Sequence, residues 1–193
     1  MAHAASYNKW AVKDLIHEHD RTAKKYKNNV CRARSSLNFT YGIDGRNANE
    51  IYKLVMERCS TIMQGKKMQD KTNVVVEWNV TYPAELCHEE EYDTGKKDKN
   101  GNPIIMKYNK PDFPEHCKDF FSAVYDFSAK RYGGDNIIGG YVHMDETTPH
   151  MHFLFVPVIE DKKWNAKNPD KPPRVKVCAK ELIDKIEMSV FHP

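Results

Sequence analysis

The stretch Asn136-Ile-Ile-Gly-Gly-Tyr-Val-His143-Met144, followed by Asp145-Glu-Thr-Thr-Pro149 and His150-Met-His-Phe-Leu-Phe-Val-Pro-Val-Ile159, decides the fold. Two extended runs, 136–144 and 150–159, flank a short polar connection, and the whole reads as a β-hairpin. Side chains alternate across a strand, so His150 and His152 share one face while Met151 takes the other. His143 can lie opposite that pair. Glu146, in the connection, can approach as a fourth, oxygen ligand or as an outer partner. One isolated histidine would be an ordinary sheet residue. Four candidate ligands between positions 143 and 152 read as a metal site. Imidazole suits Mn²⁺, Zn²⁺, Ni²⁺ or Fe²⁺. Asp145 reads as a turn residue or as an orienter of histidine.

Three protein imidazoles leave coordination positions open, which is the mark of a catalytic centre. An ion on the non-bridging oxygens of a phosphodiester would orient the ester and offset charge in displacement. His143, Glu146 and His150 could equally form the two-histidine, one-carboxylate triad of a non-haem iron oxygenase. A structural ion in a non-catalytic DNA-binding module is a third reading.

Outward from the hairpin, Pro114 to Tyr132 is expected to be a helix stopped by Gly133-Gly134, with Phe120, Phe121, Val124 and Phe127 as a core stripe. Val74 to Tyr82 reads as a strand ended by Pro83. Val12 to Tyr26 and Asn47 to Met63 read as helices, the second with Asn49 as N-cap and Ile51, Leu54, Val55, Cys59 and Ile62 as its apolar stripe. Cys87 to Asp112 reads as the least ordered stretch, a surface excursion or hairpin tip. Lys162 to Pro173 reads as a loop leading to an extended Val175-Lys-Val177 and a last helix from Lys180. No internal repeat is visible. This order of elements predicts an α+β domain with a mostly antiparallel central β-sheet flanked by helices.

The chain has 193 residues, enough for one domain with a sizeable core, with 40% apolar and 30% charged residues. No run approaches the length needed to cross a bilayer, and the N-terminus lacks signal-peptide features, so a cytoplasmic protein is expected. The five cysteines include no C-x-x-C pair, which argues for reduced thiols. A net charge of +3 does not establish nucleic-acid binding. The clustering of Lys24, Lys25, Lys27, Arg32 and Arg34, and of lysines between 162 and 176, is more suggestive.

The 136–152 segment, with Val156-Pro157 behind it, resembles the signature of the Mob/Pre (MOBV) plasmid mobilisation relaxases of the HUH endonuclease superfamily. Arg34-Ser35-Ser36-Leu37-Asn38-Phe39, Glu77-Trp78 and the helix around Phe120-Phe121 also look like family features. The resemblance implies an HUH-type relaxase fold over residues 1–193, the N-terminal catalytic part of a longer bacterial protein. It implies nicking of one strand at an origin of transfer by transesterification, a covalent 5′-phosphate adduct, and later rejoining. A divalent ion is implied, Mn²⁺ first, with Mg²⁺, Zn²⁺ and Ni²⁺ admissible. The partner is origin DNA, single-stranded near the nick, with a hairpin or duplex arm.

The family nucleophile is a histidine near the N-terminus, and counting back from Asn38 places it at His17. The family reads His-x-x-Arg there, whereas this chain reads His17-Glu-His19-Asp-Arg21, so His19 is an alternative, followed by Tyr26 and Tyr41. Glu146 is the second catalytic candidate. Arg34, Ser35 and Asn38 would contact phosphate or position the site, and Lys24, Lys25 and Arg32 would attract the DNA backbone. A rolling-circle replication initiator or transposase of the same superfamily remains an alternative.

Overall fold

The structure is a computed structural model that describes residues 2–25, 29–64 and 66–184. Tyr26, Lys27 and the end of the C-terminal segment lie outside the described residues. In chain order the elements are β1 (Ala2–Asn8), α1 (Val12–His19), β2 (Phe39–Tyr41), α2 (Ala48–Met63) and β3 (Asn73–Thr81). They continue with β4 (Cys87–Lys97), β5 (Pro103–Pro111), α3 (Pro114–Tyr132), β6 (Ile137–His143) and β7 (His150–Phe155). The series closes with β8 (Val158–Glu160), α4 (Lys162–Lys167) and β9 (Val175–Val177).

Five strands form one antiparallel sheet in the order β1-β3-β7-β6-β2. The histidine hairpin therefore occupies its centre and is flanked on both sides, so its register is fixed by buried side chains on two faces. Alternation along β7 sends Met151, Phe153 and Phe155 toward α3, where they pack with Phe121 and Val142. Leu154 turns the other way, into a core with Val12, Leu15 and Ile16 of α1 and Ile51, Val55 and Cys59 of α2. His150 and His152 lie on that second face, beneath the end of α1.

Local chemistry explains most boundaries. Asn47, two residues earlier than the expected Asn49, caps α2: its side chain accepts from the backbone N–H groups of Asn49 and Glu50, and Glu50 accepts from the Asn47 N–H. This reciprocal box satisfies donors that the helix cannot pair itself. Pro114 starts α3 and Gly133, at φ +85°, ends it. The expected helix from Val12 stops at His19, because Arg21 adopts a left-handed φ of +62°. That turn directs its guanidinium into the site described below.

Further expectations are refined or corrected. Phe127 is not core; it is 65% exposed, while Phe121 is fully buried. The helix turns Phe127 away from the sheet. Of the two readings of residues 87–112, the hairpin is the one found, but it is a long one, β4–β5, tied by Lys107–Glu89 and Lys110–Glu90 ion pairs and anchored by buried Tyr108. The loop from Lys162 begins with the short α4, whose N-cap Asp161 accepts from the Trp164 N–H and pairs with Arg174. The strand expected to run to Ile159 breaks after Phe155 and resumes as β8, pairing with β9. Residues 179–184 are helical, as expected. Among the described residues, no helix is long and apolar enough to cross a membrane.

Candidate metal centre

The β6–β7 register places His143 directly opposite His150, and Tyr141 opposite His152. Ring centroids lie 5.3 Å apart for His143–His150 and 4.8 Å for each of His143–His152 and His150–His152. The three rings thus converge on one face, as the alternation implies.

Each ring is held by one nitrogen, which fixes where its lone pair points. The His143 Nε2 lies 3.0 Å from the backbone carbonyl of His19. A carbonyl only accepts, so Nε2 carries the proton and Nδ1 is the free base. His150 donates from Nδ1 to the carbonyl of Thr148 at 2.8 Å, leaving Nε2 free. His152 donates from Nδ1 to Glu77, again leaving Nε2. A fixed tautomer of this kind is what orients an imidazole ligand. Burial pushes the His152 pKa down to about 3 and lowers that of His150. Both rings are therefore neutral and ready to ligate at pH 7.

Glu146 completes the outer part of the site. Its Oε1 sits 3.5 Å from His143 Nδ1 and 4.0 Å from His150 Nε2. The same oxygen accepts from Arg21 at 2.7 Å, and Oε2 accepts from Asn29 at 2.7 Å. Burial alone would raise the Glu146 pKa; the adjoining His143, Arg21 and His150 outweigh it and hold the carboxyl well below the usual range. The buried His143 Nδ1 has no hydrogen-bond partner and faces a carboxylate. A lone pair facing a carboxylate is a repulsive contact that a cation relieves. The residues present therefore fit a divalent ion, with imidazole nitrogens and carboxylate oxygen as the donor set. Ligand atoms of His143, Glu146 and His150 lie within 4.8 Å of one another, and so do those of His19, His143 and His152. A cavity of about 460 Å³ opens over the rings, lined also by Asp14, Glu18, Arg21 and Lys25.

Asp145 holds this arrangement from below. It is fully buried and accepts from Arg21 Nε at 2.9 Å, Arg21 Nη2 at 2.6 Å and Ser35 Oγ at 2.6 Å. Asn38 Oδ1 accepts the Met144 N–H at 2.7 Å, and the Arg34 guanidinium reaches the Met144 carbonyl while lying over the Tyr108 ring at 4.1 Å. Arg34, Ser35 and Asn38 thus secure the turn between the histidine strands. Lys24, Lys25 and Arg32 are exposed.

The two candidate nucleophiles on α1 fall on different sides of the helix. His19 is 5% exposed and its ring centroid lies 4.1 Å from that of His152, the two planes tilted by 32°. His17 is exposed and is not among the residues lining the cavity over the rings. Its Nδ1 donates to Thr22 Oγ1 at 2.6 Å, and that hydroxyl donates to Asp20 at 2.5 Å. Tyr41 lies on β2, with its hydroxyl donating to the Lys118 carbonyl.

Sequence reasoning left three site residues unassigned. Glu77 was readable as a charged residue in an otherwise apolar strand. Arg21 stood out only as the arginine of the family's His-x-x-Arg pattern, displaced by one place from His17, and Asn29 carried no signal, since it comes from a non-repetitive segment.

Residues 105–172 match the family model Mob_Pre, described as plasmid recombination enzyme. The chain is similar to the Mob_Pre proteins. A plasmid recombination enzyme type 3 of Staphylococcus aureus is 46% identical over 54 residues, 28% of this chain and 13% of that relative. A plasmid recombination enzyme of Bacillus thuringiensis is 28% identical over 110 residues, 53% of this chain and 25% of that relative. The matched regions thus span a quarter or less of these relatives' lengths. The crystal structure of the Mn-bound MobM relaxase domain with plasmid pMV158 oriT DNA superposes with a TM-score of 0.64 at 19% identity, covering 97% of this chain and 78% of that one. The fold is that of the Mob_Pre relaxase domain.

Proposed function

We propose that residues 1–193 form the nicking domain of a mobilisation relaxase, which cuts one strand of origin-of-transfer DNA by metal-assisted transesterification and later rejoins it. The observation that carries this reading is the set of free imidazole nitrogens of His143, His150 and His152 beside Glu146, under an open cavity in a relaxase fold. The MobM relaxase domain is Mn-bound and holds oriT DNA, which supports Mn²⁺ and origin DNA for this chain. Bound there, the ion would neutralise non-bridging phosphate oxygens and withdraw charge from the scissile ester.

The remaining chemistry belongs to side chains. His17 is the proposed nucleophile. Its proton sits on Nδ1, shared with Thr22 and Asp20, so Nε2 offers a lone pair to solvent and needs no base to deprotonate it. Attack by Nε2 forms the P–N bond, the P–O3′ bond breaks, and the 3′ oxygen leaves and takes a proton from solvent. The positive charge left on the ring is relieved as the Nδ1 proton moves toward Thr22 and Asp20. Rejoining reverses these steps. Glu146 and Arg21 hold the charge balance beneath the phosphate, and Lys24, Lys25 and Arg32 supply attraction to the DNA backbone.

The test is incubation of the protein with saturating Mn²⁺ and an end-labelled single-stranded oligonucleotide carrying the origin sequence. The expected product is an acid-labile adduct mapping to His17 and lost in His17→Ala. An adduct mapped to another residue refutes the nucleophile. Cleavage that survives His150→Ala together with His152→Ala refutes the metal mechanism.

A further inference from the structure

His19 is a buried residue without an assigned task. Neither of its ring nitrogens has a hydrogen-bond partner, although both are buried. Its Nε2 lies 3.6 Å from Glu77 Oε2, beyond hydrogen-bond range, and that oxygen is also unpartnered. Leaving such groups unpaired in a protein interior is unfavourable. The unpaired atoms cluster: His19, His143 and Glu77 meet around the His152 ring. Ligand atoms of His19, His143 and His152 lie within 4.8 Å of one another, with His19 and His143 buried and His152 partly so. Donors around one ion at about 2.1 Å are at most about 4.2 Å apart, so small ring rotations close the set.

We propose that His19 is a metal ligand of this chain, forming with His143 and His152 an inner, all-imidazole seat behind the outer His143–Glu146–His150 seat. This rests on reading the hairpin as a metal centre. His143 has one free nitrogen, because its Nε2 is held by the His19 carbonyl. The two seats therefore share one ion and are alternatives. The inner seat offers nitrogen only, and Glu77 stands behind it to hold His152 and balance charge. Such a seat favours imidazole-loving ions, Zn²⁺, Co²⁺ or Ni²⁺, over Mg²⁺. The outer seat, with its carboxylate and access to the cavity, suits Mn²⁺. The assignment also gives His19 a task other than nucleophile.

The test uses two readouts that need no DNA. Co²⁺ is titrated into the metal-free protein, followed by its visible absorption, for the wild type, His19→Phe and His19→Gln. Phe keeps a flat ring against His152 and Tyr141 but removes both nitrogens. Thermal melts of the metal-free variants confirm folding. The expected result is a Co²⁺ affinity at least about tenfold weaker in both variants, with a changed absorption envelope; the threshold is the lower end of what even outer partners cost. In parallel, ¹⁵N-histidine NMR of the wild-type protein with Zn²⁺ should shift a His19 ring nitrogen, whether or not the variants fold. Unchanged affinity and spectrum in a folded variant, or an unshifted His19, overturns the proposal while leaving the hairpin centre standing. Absence of any divalent-ion binding by the wild type overturns the hairpin centre itself, and the inner seat with it.

Discussion

Removing the Asp145 carboxylate should cost more than any other single polar change near the site. In Asp145→Ala three short hydrogen bonds disappear, two from Arg21 and one from Ser35. Hydrogen bonds to a charged group contribute about 1.5–3 kcal/mol each, which would sum to roughly 4.5–9 kcal/mol. That sum overshoots, because the bonds share partners and do not add. Arg21 also keeps Glu146 as a counter-charge. Breaking a buried ion pair costs about 3–5 kcal/mol, and the Arg21 side chain is 8% exposed, so this is the better guide. A chain of this size loses about 2–4 °C per kcal/mol, which puts the drop in Tm at roughly 6–20 °C. Urea unfolding of the metal-free protein, with Asp145→Asn as the isosteric control, measures it. The control should lose most of the same stability, since it keeps the shape and removes the charge. A loss below about 1 kcal/mol, the range of exposed pairs, would refute the claim that Asp145 anchors the site.

Stability of the metal-free protein should fall with acid from near neutrality. Histidines titrate near 6.5 when unfolded, whereas burial holds folded His152 at about 3. Between those values the unfolded chain binds the extra proton, so each unit of falling pH removes up to about 1.4 kcal/mol for this group. The depressed Glu77 and Glu146 act in the same direction at lower pH, and denaturant midpoints that stay flat from pH 7 to pH 5 would contradict this. Glu77→Gln should weaken divalent-ion affinity about 10- to 100-fold by calorimetry, because the His152 proton loses its anionic acceptor; equal affinity would remove Glu77 from the site. Gly139→Ala should destabilise by about 1–3 kcal/mol in chemical unfolding. Its φ is +153°, and an added Cβ would sit 2.3 Å from Ile43 Cδ1 and 2.8 Å from the Tyr41 carbonyl; a neutral result would mean that β2 can move away.

The histidine hairpin was readable because strand alternation is rigid. Once 136–144 and 150–159 are extended and joined by a short connection, the face of each histidine is determined, and the register bears this out. The α3 boundaries were readable because Pro114 and Gly133 act locally. What escaped depends on distant partners. The Ala2–Asn8 strand lacks a strong β pattern and is extended because it pairs with β3 along its length. Phe127 fits an apolar stripe by spacing, but the docking of α3 leaves it facing solvent. Arg34, Ser35 and Asn38 were expected to contact phosphate or to position the site, and they are found holding the hairpin turn. Their tie to the hairpin turn spans more than 100 residues of sequence, which no local pattern encodes.

That tie changes how the early Arg34–Asn38 block relates to the chemistry. The strands supply three imidazoles, but strands alone leave each ring free to choose its tautomer. The choice is made elsewhere: by a carbonyl at the end of α1 for His143, by Thr148 in the connection for His150, and by Glu77 on β3 for His152. Two of these three partners move if the connection or the end of α1 moves. Arg21 bridges α1 to Asp145 and Glu146, Ser35 reaches the same Asp145, and Asn38 holds the Met144 N–H. The segment from His19 to Asn38 therefore acts as a clamp that sets which nitrogen each ring presents. Metal readiness is a property of this clamp as much as of the hairpin. The exposed His17 ring hydrogen-bonds Thr22 within this same segment, so the proposed nucleophile and the orientation of the hairpin imidazoles depend on one piece of chain.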